Sequence, residues 1–183
     1  MRQCEAAVHL AAFGSVPDCE RAPAKAYETN LCGTYMVAST AHMYGVKLVF
    51  ASSFAVIHPE NRSSVYGLTK ALGEKLVSFY GGVSCRLSNV YGGMKFAELK
   101  KSVVARLMTG SFEERGDDGQ VRDFIHVDDV CRILYKAMVD GKPGSVIEAH
   151  TGVETSIGEL KKLSEDPSFP DNLRHPPMDI NGQ

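Results

Sequence analysis

Tyr66 and Lys70 stand four positions apart in the segment Tyr66-Gly-Leu-Thr-Lys70, within a helix that we predict from Ser64 to Tyr80. At this spacing the two side chains lie within about 40° of each other on one helix face. A free tyrosine has a pKa of about 10 and is a poor base at neutral pH, but an ammonium group one turn away favours the phenolate and lowers that pKa. The pair could therefore exchange a proton with a substrate hydroxyl. Two exposed side chains at an accidental spacing are the alternative.

A pair of serines, Ser52 and Ser53, ends a predicted buried strand, and Ser53 lies thirteen residues before Tyr66. In parallel α/β sheets, ligands bind at the carboxyl ends of the strands. A hydroxyl at that position can hydrogen-bond the same substrate oxygen that the tyrosine deprotonates. Ordinary loop chemistry is the alternative for two serines at a strand end.

The opposite face of the same helix carries an apolar stripe, which we expect to face the core. The stripe consists of Leu68, Ala71, Leu72, Leu76 and Phe79. On the side of Tyr66 and Lys70, Gly73 and Val77 are small enough to let another group approach.

The elements that must position these residues alternate between short apolar strands and helices of about ten residues or more. This pattern predicts βαβ units and an α/β fold with a parallel sheet covered by helices. We predict strands at 6–12, 46–52, 83–87, 121–125 and 145–149, and helices at 23–44, 64–80, 96–109, 127–139 and 155–164, with 14–18 as loop. Residues 1–165 would form the domain, and the proline-containing tail 166–183 would be loop or disordered.

Composition excludes several classes of function. The 183 residues suit one domain, and 44% hydrophobic and 23% charged residues are ordinary for a globular protein. A net charge of −2 gives no electrostatic footprint for nucleic acid, and no apolar run approaches the roughly 20 residues that span a bilayer. Five scattered cysteines without a CxxC motif indicate reduced thiols in a cytoplasmic protein, with no zinc site.

Six segments in order resemble the extended short-chain dehydrogenase/reductase family, which includes UDP-galactose 4-epimerase and nucleotide-sugar dehydratases. They cover most of the chain, from about Val8 to Leu163. They are His9-Leu-Ala-Ala12, then Val16, Pro23 and Asn30-Leu-Cys-Gly-Thr34, then Phe50-Ala-Ser-Ser53, Tyr66 with Lys70 and Glu74, Arg86-Leu-Ser-Asn-Val-Tyr-Gly92, and Arg122-Asp-Phe-Ile-His-Val-Asp-Asp129.

The resemblance implies a role for each matching residue. Tyr66 would be the acid/base, Lys70 would lower its pKa and hold the nicotinamide ribose, and Ser53 would orient the substrate. The cofactor, NAD or NADP, would contact Ala11, Ala12, Asn30, Ser52, Tyr66 and Lys70, while Ser53, Asn89 and Arg122 would hold the nucleotide sugar, the last two at its diphosphate. The family also implies a homodimer through the helices at 23–44 and 64–80.

Two charged groups near the end of the last matching segment have simpler explanations. His126, Asp128 and Asp129 are expected to start the next helix, because acidic residues in a first turn complement the helix dipole. We do not expect them to be metal ligands. For Arg122, a guanidinium fork matches phosphate oxygens, and pairing with Asp117 or Asp118 is the alternative.

The sequence departs from the family pattern in two places. It has no G-x-x-G-x-x-G turn, and its first strand resembles the family's fourth, so we expect a partial Rossmann-like, doubly wound sheet without its first βα units and a small substrate-binding lobe including elements of 93–165. At roughly 30 residues per βαβ unit, some 60 or more residues would be absent upstream, and NAD should bind this chain weakly. A fragment, a shortened gene, a miscalled start and a pseudoenzyme all fit. The connection from Ser53 to Tyr66 is also shorter than usual.

The reaction is indicated by the residues after Ser53. Dehydratases of this family resemble each other in an acidic residue there, whereas this chain has Phe54, Ala55 and Val56. The resemblance therefore favours an epimerase, with a dehydratase or reductase as an alternative. A catalytically inactive relative that binds a nucleotide sugar or acts as a dimerisation partner is another. The sugar and its nucleotide stay open.

Overall fold

The structure is a computed structural model that describes residues 4–93, 102–110, 112 and 120–175. The chain divides into two compact units. The first contains Met1–Leu87 and Ile133–Glu148, and the second contains Ser88–Arg132 and Ala149–Gln183.

Short strands alternate with helices along most of the chain. In chain order the regular elements are β1 (Ala6–His9), α1 (Val16–Arg21), α2 (Pro23–Ala26), a π-helical segment (Tyr27–Cys32), α3 (Gly33–Met43), β2 (Lys47–Ser53), a 3-10 turn (Phe54–Val56), α4 (Val65–Phe79), β3 (Val83–Leu87), β4 (Asn89–Tyr91), α5 (Val103–Met108), β5 (Val121–His126), α6 (Val127–Asp140), β6 (Val146–Ala149), β7 (Glu154–Ser156), α7 (Ile157–Ser164) and a second 3-10 turn (Asp171–Leu173).

A four-stranded sheet in the order β1-β2-β3-β6 organises the first unit. β2 pairs in parallel with both β1 and β3, and Ser53 at its end lies opposite Leu87. Residues 48–52 of β2 are all buried, as expected for a strand covered on both faces. The predicted α/β fold with a parallel sheet is confirmed.

The core of this unit lies between the sheet and the helices α3 and α4. Its fully buried members are Ala38, Ala41, Val46, Leu48, Phe50 and Val77. Burying one aliphatic or phenylalanine side chain of this kind contributes roughly 1.5–3 kcal/mol. This cluster therefore fixes the distance between α4 and β2, the two elements that carry the predicted catalytic residues.

The prediction that the apolar stripe of α4 faces the core is wrong. Leu72 is 38% exposed and Phe79 is 80% exposed, while Lys70 and Glu74 are buried. The helix packs through its small residues instead: a Cβ at Gly73 would lie only 3.0 Å from the ring of Phe50. Close packing of backbone against the sheet, which hydrophobic periodicity does not report, decides which face turns inward.

The stretch before β2 is more helical than the sequence predicts. Residues 14–18 are predicted as loop, but α1 begins within them because Ser15 caps its start and accepts a hydrogen bond from the backbone N–H of Asp18. The predicted helix at 23–44 is present as α2 and α3, with the π-helical segment between them. Single-turn π segments of this kind occur frequently at functional sites.

A three-stranded sheet in the order β4-β5-β7 organises the second unit. β4 is parallel to β5, and β7 is antiparallel to it. The sequence does not predict β4 and β7, because three residues each are too short to show a period. Because β7 ends at Ser156, α7 begins at Ile157, two residues later than predicted. Ser156 caps this helix by accepting from the N–H of Glu159.

The described part of the predicted tail, residues 166–175, is a loop with one 3-10 turn, and it is ordered. Leu173 is 1% exposed and belongs to the core of the second unit, against which Phe169 also packs. Two apolar side chains are enough to order this segment despite its low hydrophobicity. Residues 176–183, and residues 96–101 of the helix predicted at 96–109, lie outside the described residues.

Candidate active site

The end of β2 and the inner face of α4 bring together Ser53, Tyr66 and Lys70, all in the first unit. The Lys70 ammonium is 3% exposed and donates a hydrogen bond to the carbonyl oxygen of Ala51, with Nζ and O 2.7 Å apart. The same nitrogen lies 4.6 Å from the centre of the Phe50 ring and 6.0 Å from the centre of the Tyr66 ring. Lys70 thus lies between the strand end and the tyrosine.

The hydroxyl of Ser53 lies near the phenol of Tyr66 and lowers its pKa. Ser53 Oγ also accepts from the backbone N–H of Ala55 at 3.2 Å, because Ser53 caps the short 3-10 turn. This turn holds the serine side chain in place. The two hydroxyls are therefore close enough to contact one substrate oxygen, as expected from their positions in the sequence.

The pKa of Tyr66 is raised in this structure, and the expected lowering by Lys70 is not seen. Burial of the phenol is the largest cause, and the nearby Cys19 adds to it. The nearby hydroxyl of Ser53 favours the phenolate and acts in the opposite direction. The Lys70 ammonium donates to Ala51 rather than to the phenol, which explains why desolvation prevails.

The pKa of Lys70 is lowered to about 8, mainly because burial disfavours its charged form. Cys19, when its thiol is ionised, and the carboxylate of Glu74 act against this shift. At neutral pH the side chain is therefore still mostly an ammonium group. An ammonium has three N–H donors, and within the described residues Lys70 has one hydrogen-bond acceptor, Ala51.

Asn30 lies in the π-helical segment and is 2% exposed. Its side-chain oxygen accepts from the N–H of Phe13 at 2.7 Å, and its nitrogen donates to the carbonyl of Phe13 at 3.2 Å and to the hydroxyl of Thr69 at 3.1 Å. Asn30 therefore fixes the loop after β1. Ala11 and Ala12, predicted to line the cofactor site, are exposed in that loop.

His9 is not singled out as a site residue by the sequence. Its Nε2 lies 3.1 Å from the hydroxyl of Thr34, which itself donates to the carbonyl of Asn30 at 2.6 Å. Because that hydroxyl hydrogen is used, Nε2 of His9 carries the proton and donates. The ring stacks on Phe50, and burial followed by the charge of Lys70 lowers the pKa of His9.

Glu74 and Arg86 form a second group, which the sequence marks only through the family resemblance. The guanidinium of Arg86 donates to both carboxylate oxygens of Glu74, at 2.9 Å each, and to Glu148 at 3.2 Å. Ser52 donates to Glu74 at 2.6 Å and is itself buried. The hydroxyl of Ser52, predicted to contact the cofactor, is thus engaged with Glu74.

Asn89 and Arg122, the residues predicted to hold a diphosphate, lie on the paired strands β4 and β5 of the second unit. The amide of Asn89 is exposed and donates to the backbone carbonyl of Asp123 at 3.0 Å, and Arg122 donates to the carbonyl of Val121 at 2.8 Å. The aspartates at 117 and 118, its alternative partners, lie outside the described residues.

Asp123, which follows Arg122 on β5, joins three segments of the second unit. Its carboxylate accepts from the hydroxyl of Ser88 at 2.8 Å, from the N–H and hydroxyl of Thr151 and from the N–H of Gly152 at 2.7 Å. A sequence alone could not show these bonds, because the partners are 28 to 35 residues away.

Acidic residues in the first turn of α6, Asp128 and Asp129, complement the helix dipole as predicted, and Nδ1 of His126 accepts from the N–H of Asp128. Within the described part of the chain, no group of His, Cys, Asp and Glu side chains is arranged to hold a metal ion. No described helix is long and apolar enough to cross a membrane. None of the five cysteines, all of them among the described residues, forms a disulfide bond.

Comparison with known proteins shows the family of this chain. The sequence model of the NAD dependent epimerase/dehydratase family matches residues 1–149. A UDP-glucose 4-epimerase of Mycolicibacterium smegmatis is 30% identical, covering 85% of this chain and 58% of its own length. A dTDP-glucose 4,6-dehydratase of Actinoplanes is 32% identical, covering 72% of this chain and 43% of its own.

Among solved structures, MoeE5 in complex with UDP-glucose and NAD is similar to this chain with a TM-score of 0.78. It is 25% identical, and the match covers 87% of this chain and 61% of MoeE5. The chain spans about half the length of the two enzymes from Mycolicibacterium and Actinoplanes.

Proposed function

The chain belongs to the NAD dependent epimerase/dehydratase family, and we propose that it contributes the acid/base centre for NAD-dependent epimerisation of a nucleotide sugar. The observation that carries the proposal is that the Ser53 hydroxyl lies near the Tyr66 phenol, with Lys70 buried beside them at the end of β2. Similarity to enzymes named as UDP-glucose 4-epimerases supports the substrate class.

The residues around this centre fit the nicotinamide ribose of NAD. Lys70 keeps N–H donors beyond the one that Ala51 accepts, and ribose hydroxyls are suitable acceptors. The loop after β1 presents Ala11 and Ala12, whose short side chains let a flat ligand approach. When bound, NAD supplies the redox chemistry by taking up a hydride from the sugar and returning it.

The protein's part in the reaction is proton transfer at one sugar hydroxyl. Ser53 would hydrogen-bond the hydroxyl oxygen, and the Tyr66 phenolate would accept its proton as the hydride leaves the same carbon. A ketone results, and after the sugar turns over, Tyr66 would return the proton to the keto oxygen as the hydride adds to the other face. Proton and hydride are both restored, so the product is an isomer.

The raised pKa of Tyr66 suits the second half of this cycle, because a neutral phenol is the form that returns a proton. The first half needs the phenolate. The hydroxyl of Ser53, which lowers the pKa of Tyr66, favours it.

The side chains after Ser53 favour epimerisation over dehydration. Phe54, Ala55 and Val56 form the 3-10 turn, and none of them can give or take a proton at a sugar ring. A dehydratase remains the second candidate, because one relative named as a dTDP-glucose 4,6-dehydratase is 32% identical.

The diphosphate of the substrate is assigned to Asn89 and Arg122. A guanidinium and an amide are suitable donors for phosphate oxygens, and both stand on neighbouring strands of the second unit. Their backbones are fixed by the hydrogen bonds that Asp123 accepts from Ser88 and Thr151.

A homodimer through α3 and α4 is part of the proposal. Exposed apolar side chains cover this face, including Tyr35, Met36, Leu68, Leu72 and Phe79. Between the helices lies an open, mostly apolar cavity of about 450 Å³, lined by Leu31, Cys32, Tyr35, Leu72, Lys75 and Leu76. A patch of this kind on one face can pair with its own copy across a two-fold axis.

The test is turnover of UDP-glucose in the presence of NAD, followed by NMR of the sugar, for the 183-residue chain and for the whole reading frame that encodes it. Tyr66→Phe should abolish turnover while leaving the circular dichroism spectrum unchanged. Tyr135→Phe, at an exposed tyrosine of α6, is the matched control and should keep activity. Full turnover by Tyr66→Phe would refute the mechanism.

A further inference from the structure

Three successive residues at the end of β2 are each held by a different turn of α4. Their partners on the helix are spaced by four positions, so they lie in one row along its inner face. The pairs are Ala51 with Lys70, Ser52 with Glu74, and Ser53 with Tyr66. The middle pair uses a hydroxyl and a carboxylate that take no part in the proposed proton transfer.

Glu74 is itself held rigidly. It is 7% exposed, and each of its oxygens is occupied: Oε1 accepts from Ser52 and from Nε of Arg86, and Oε2 accepts from the second nitrogen of that guanidinium. A bidentate pair of this geometry fixes direction as well as distance.

Arg86 connects this carboxylate to the neighbouring strands. It lies on β3, and its remaining nitrogen donates to Glu148 on β6 at 3.2 Å. The position of Glu74 is thus determined by the sheet, and through Ser52 it determines where the end of β2 stands against α4.

We propose that Glu74 is a positioning residue, which through Ser52 holds the end of β2 in the register that keeps the Ser53 hydroxyl on the Tyr66 phenol. The proposal rests on the function proposed above for Ser53 and Tyr66. The alignment is sensitive, because a strand advances about 3.3 Å per residue and a polar contact between two hydroxyl groups is lost within a fraction of that distance.

The test measures the Tyr66 phenol directly, by NMR titration of the 183-residue chain labelled at tyrosine Cζ. Comparison with Tyr66→Phe identifies its signal among the seven tyrosines. Glu74→Asp keeps the charge but is one methylene too short to reach both Ser52 and Arg86. We expect its Tyr66 pKa to rise further, because the Ser53 hydroxyl, which lowers that pKa, moves away from the phenol.

Glu74→Gln removes the charge as well. In this variant the pKa of Lys70, measured by NMR of its ammonium group, should fall below about 8, because Glu74 is one of the groups that raise it. Among the described residues, the other titratable groups that face Lys70 are Cys19, Tyr66 and His9. None of them is changed.

Glu148→Gln is the matched control, because it removes the other carboxylate bonded to Arg86 but touches neither Ser52 nor α4. It should leave both titrations unchanged. Ser52→Ala removes only the hydroxyl and should reproduce the Tyr66 shift of Glu74→Asp, even if Glu74→Gln does not fold. Unchanged Tyr66 titration in folded Glu74→Asp and Ser52→Ala would overturn the proposal. Neither measurement needs substrate or NAD, so loss of the proposed reaction would be seen separately, in the turnover of Tyr66→Phe.

Discussion

The side-chain amide of Asn30 pairs with both backbone groups of Phe13, accepting from its N–H at 2.7 Å and donating to its carbonyl at 3.2 Å. These two bonds give the loop that follows β1 the backbone pairing that a neighbouring strand would otherwise provide. Because Asn30 also donates to Thr69 on α4, one buried side chain ties that loop to the helix that carries Tyr66.

Replacing Asn30 with alanine should destabilise the first unit by about 1–3 kcal/mol, because the part-buried N–H of Phe13 loses its acceptor and the Phe13 carbonyl keeps only the thiol of Cys19 as donor. Asn30→Asp should also destabilise it, since a carboxylate cannot donate to the Phe13 carbonyl. Urea denaturation measures both. Asn89→Ala, at an exposed asparagine, should change the unfolding free energy much less; equal losses at the two positions would contradict this role for Asn30.

Stability should depend on pH through Lys70. Its pKa is about 8 in the folded chain and 10.5 ordinarily, so between these values the unfolded state binds more protons and the free energy of unfolding rises with pH. Below about 8 the buried ammonium costs its full penalty, about 3 kcal/mol at 1.36 kcal/mol per pKa unit. Urea denaturation at pH 7.5 and 9.5 should therefore show a larger gain for the wild type than for Lys70→Met. The exposed Lys75→Met should behave like the wild type, and a pH-independent difference between wild type and Lys70→Met would contradict the assignment.

The dimer proposal predicts a monomer when the apolar face of α4 is charged. Leu72→Asp should halve the mass measured by light scattering at micromolar concentration, while the circular dichroism spectrum stays the same. Val153→Asp is a matched control, because Val153 is 39% exposed, almost the same as Leu72, but lies in the second unit. A wild-type chain that is already monomeric would exclude the interface.

Replacing Asp123 with asparagine should destabilise the second unit. Hydrogen bonds to a charged group contribute about 1.5–3 kcal/mol each, and this carboxylate accepts from Ser88, Thr151 and Gly152. We expect the free energy of local unfolding to fall by about 3 kcal/mol, measured as faster hydrogen exchange at the amides of Thr151 and Gly152. Exchange at the β2 amides should stay unchanged, because β2 belongs to the first unit.

The parts of this site that sequence predicts are those set by local periodicity. The spacing of Tyr66 and Lys70 is short enough for a helix to fix it, and the strand before Ser53 is an uninterrupted apolar run. The choice of buried face on α4 could not be predicted, because a row with Lys70 and Glu74 is hidden while Leu72 and Phe79 are exposed. That choice depends on partners from other elements, such as Arg86.

The π-helical segment Tyr27–Cys32 has a consequence for the length of the chain. Each residue of a regular helix advances by about 100°, so removing one residue from this segment would turn everything before it by that angle relative to α3. Asn30 could then no longer face Phe13 and Thr69 at the same time. The helical stretch from Pro23 to Met43 therefore requires a fixed number of residues. We expect single-residue deletions to be tolerated in the surface loop around Pro59, but not between Tyr27 and Cys32.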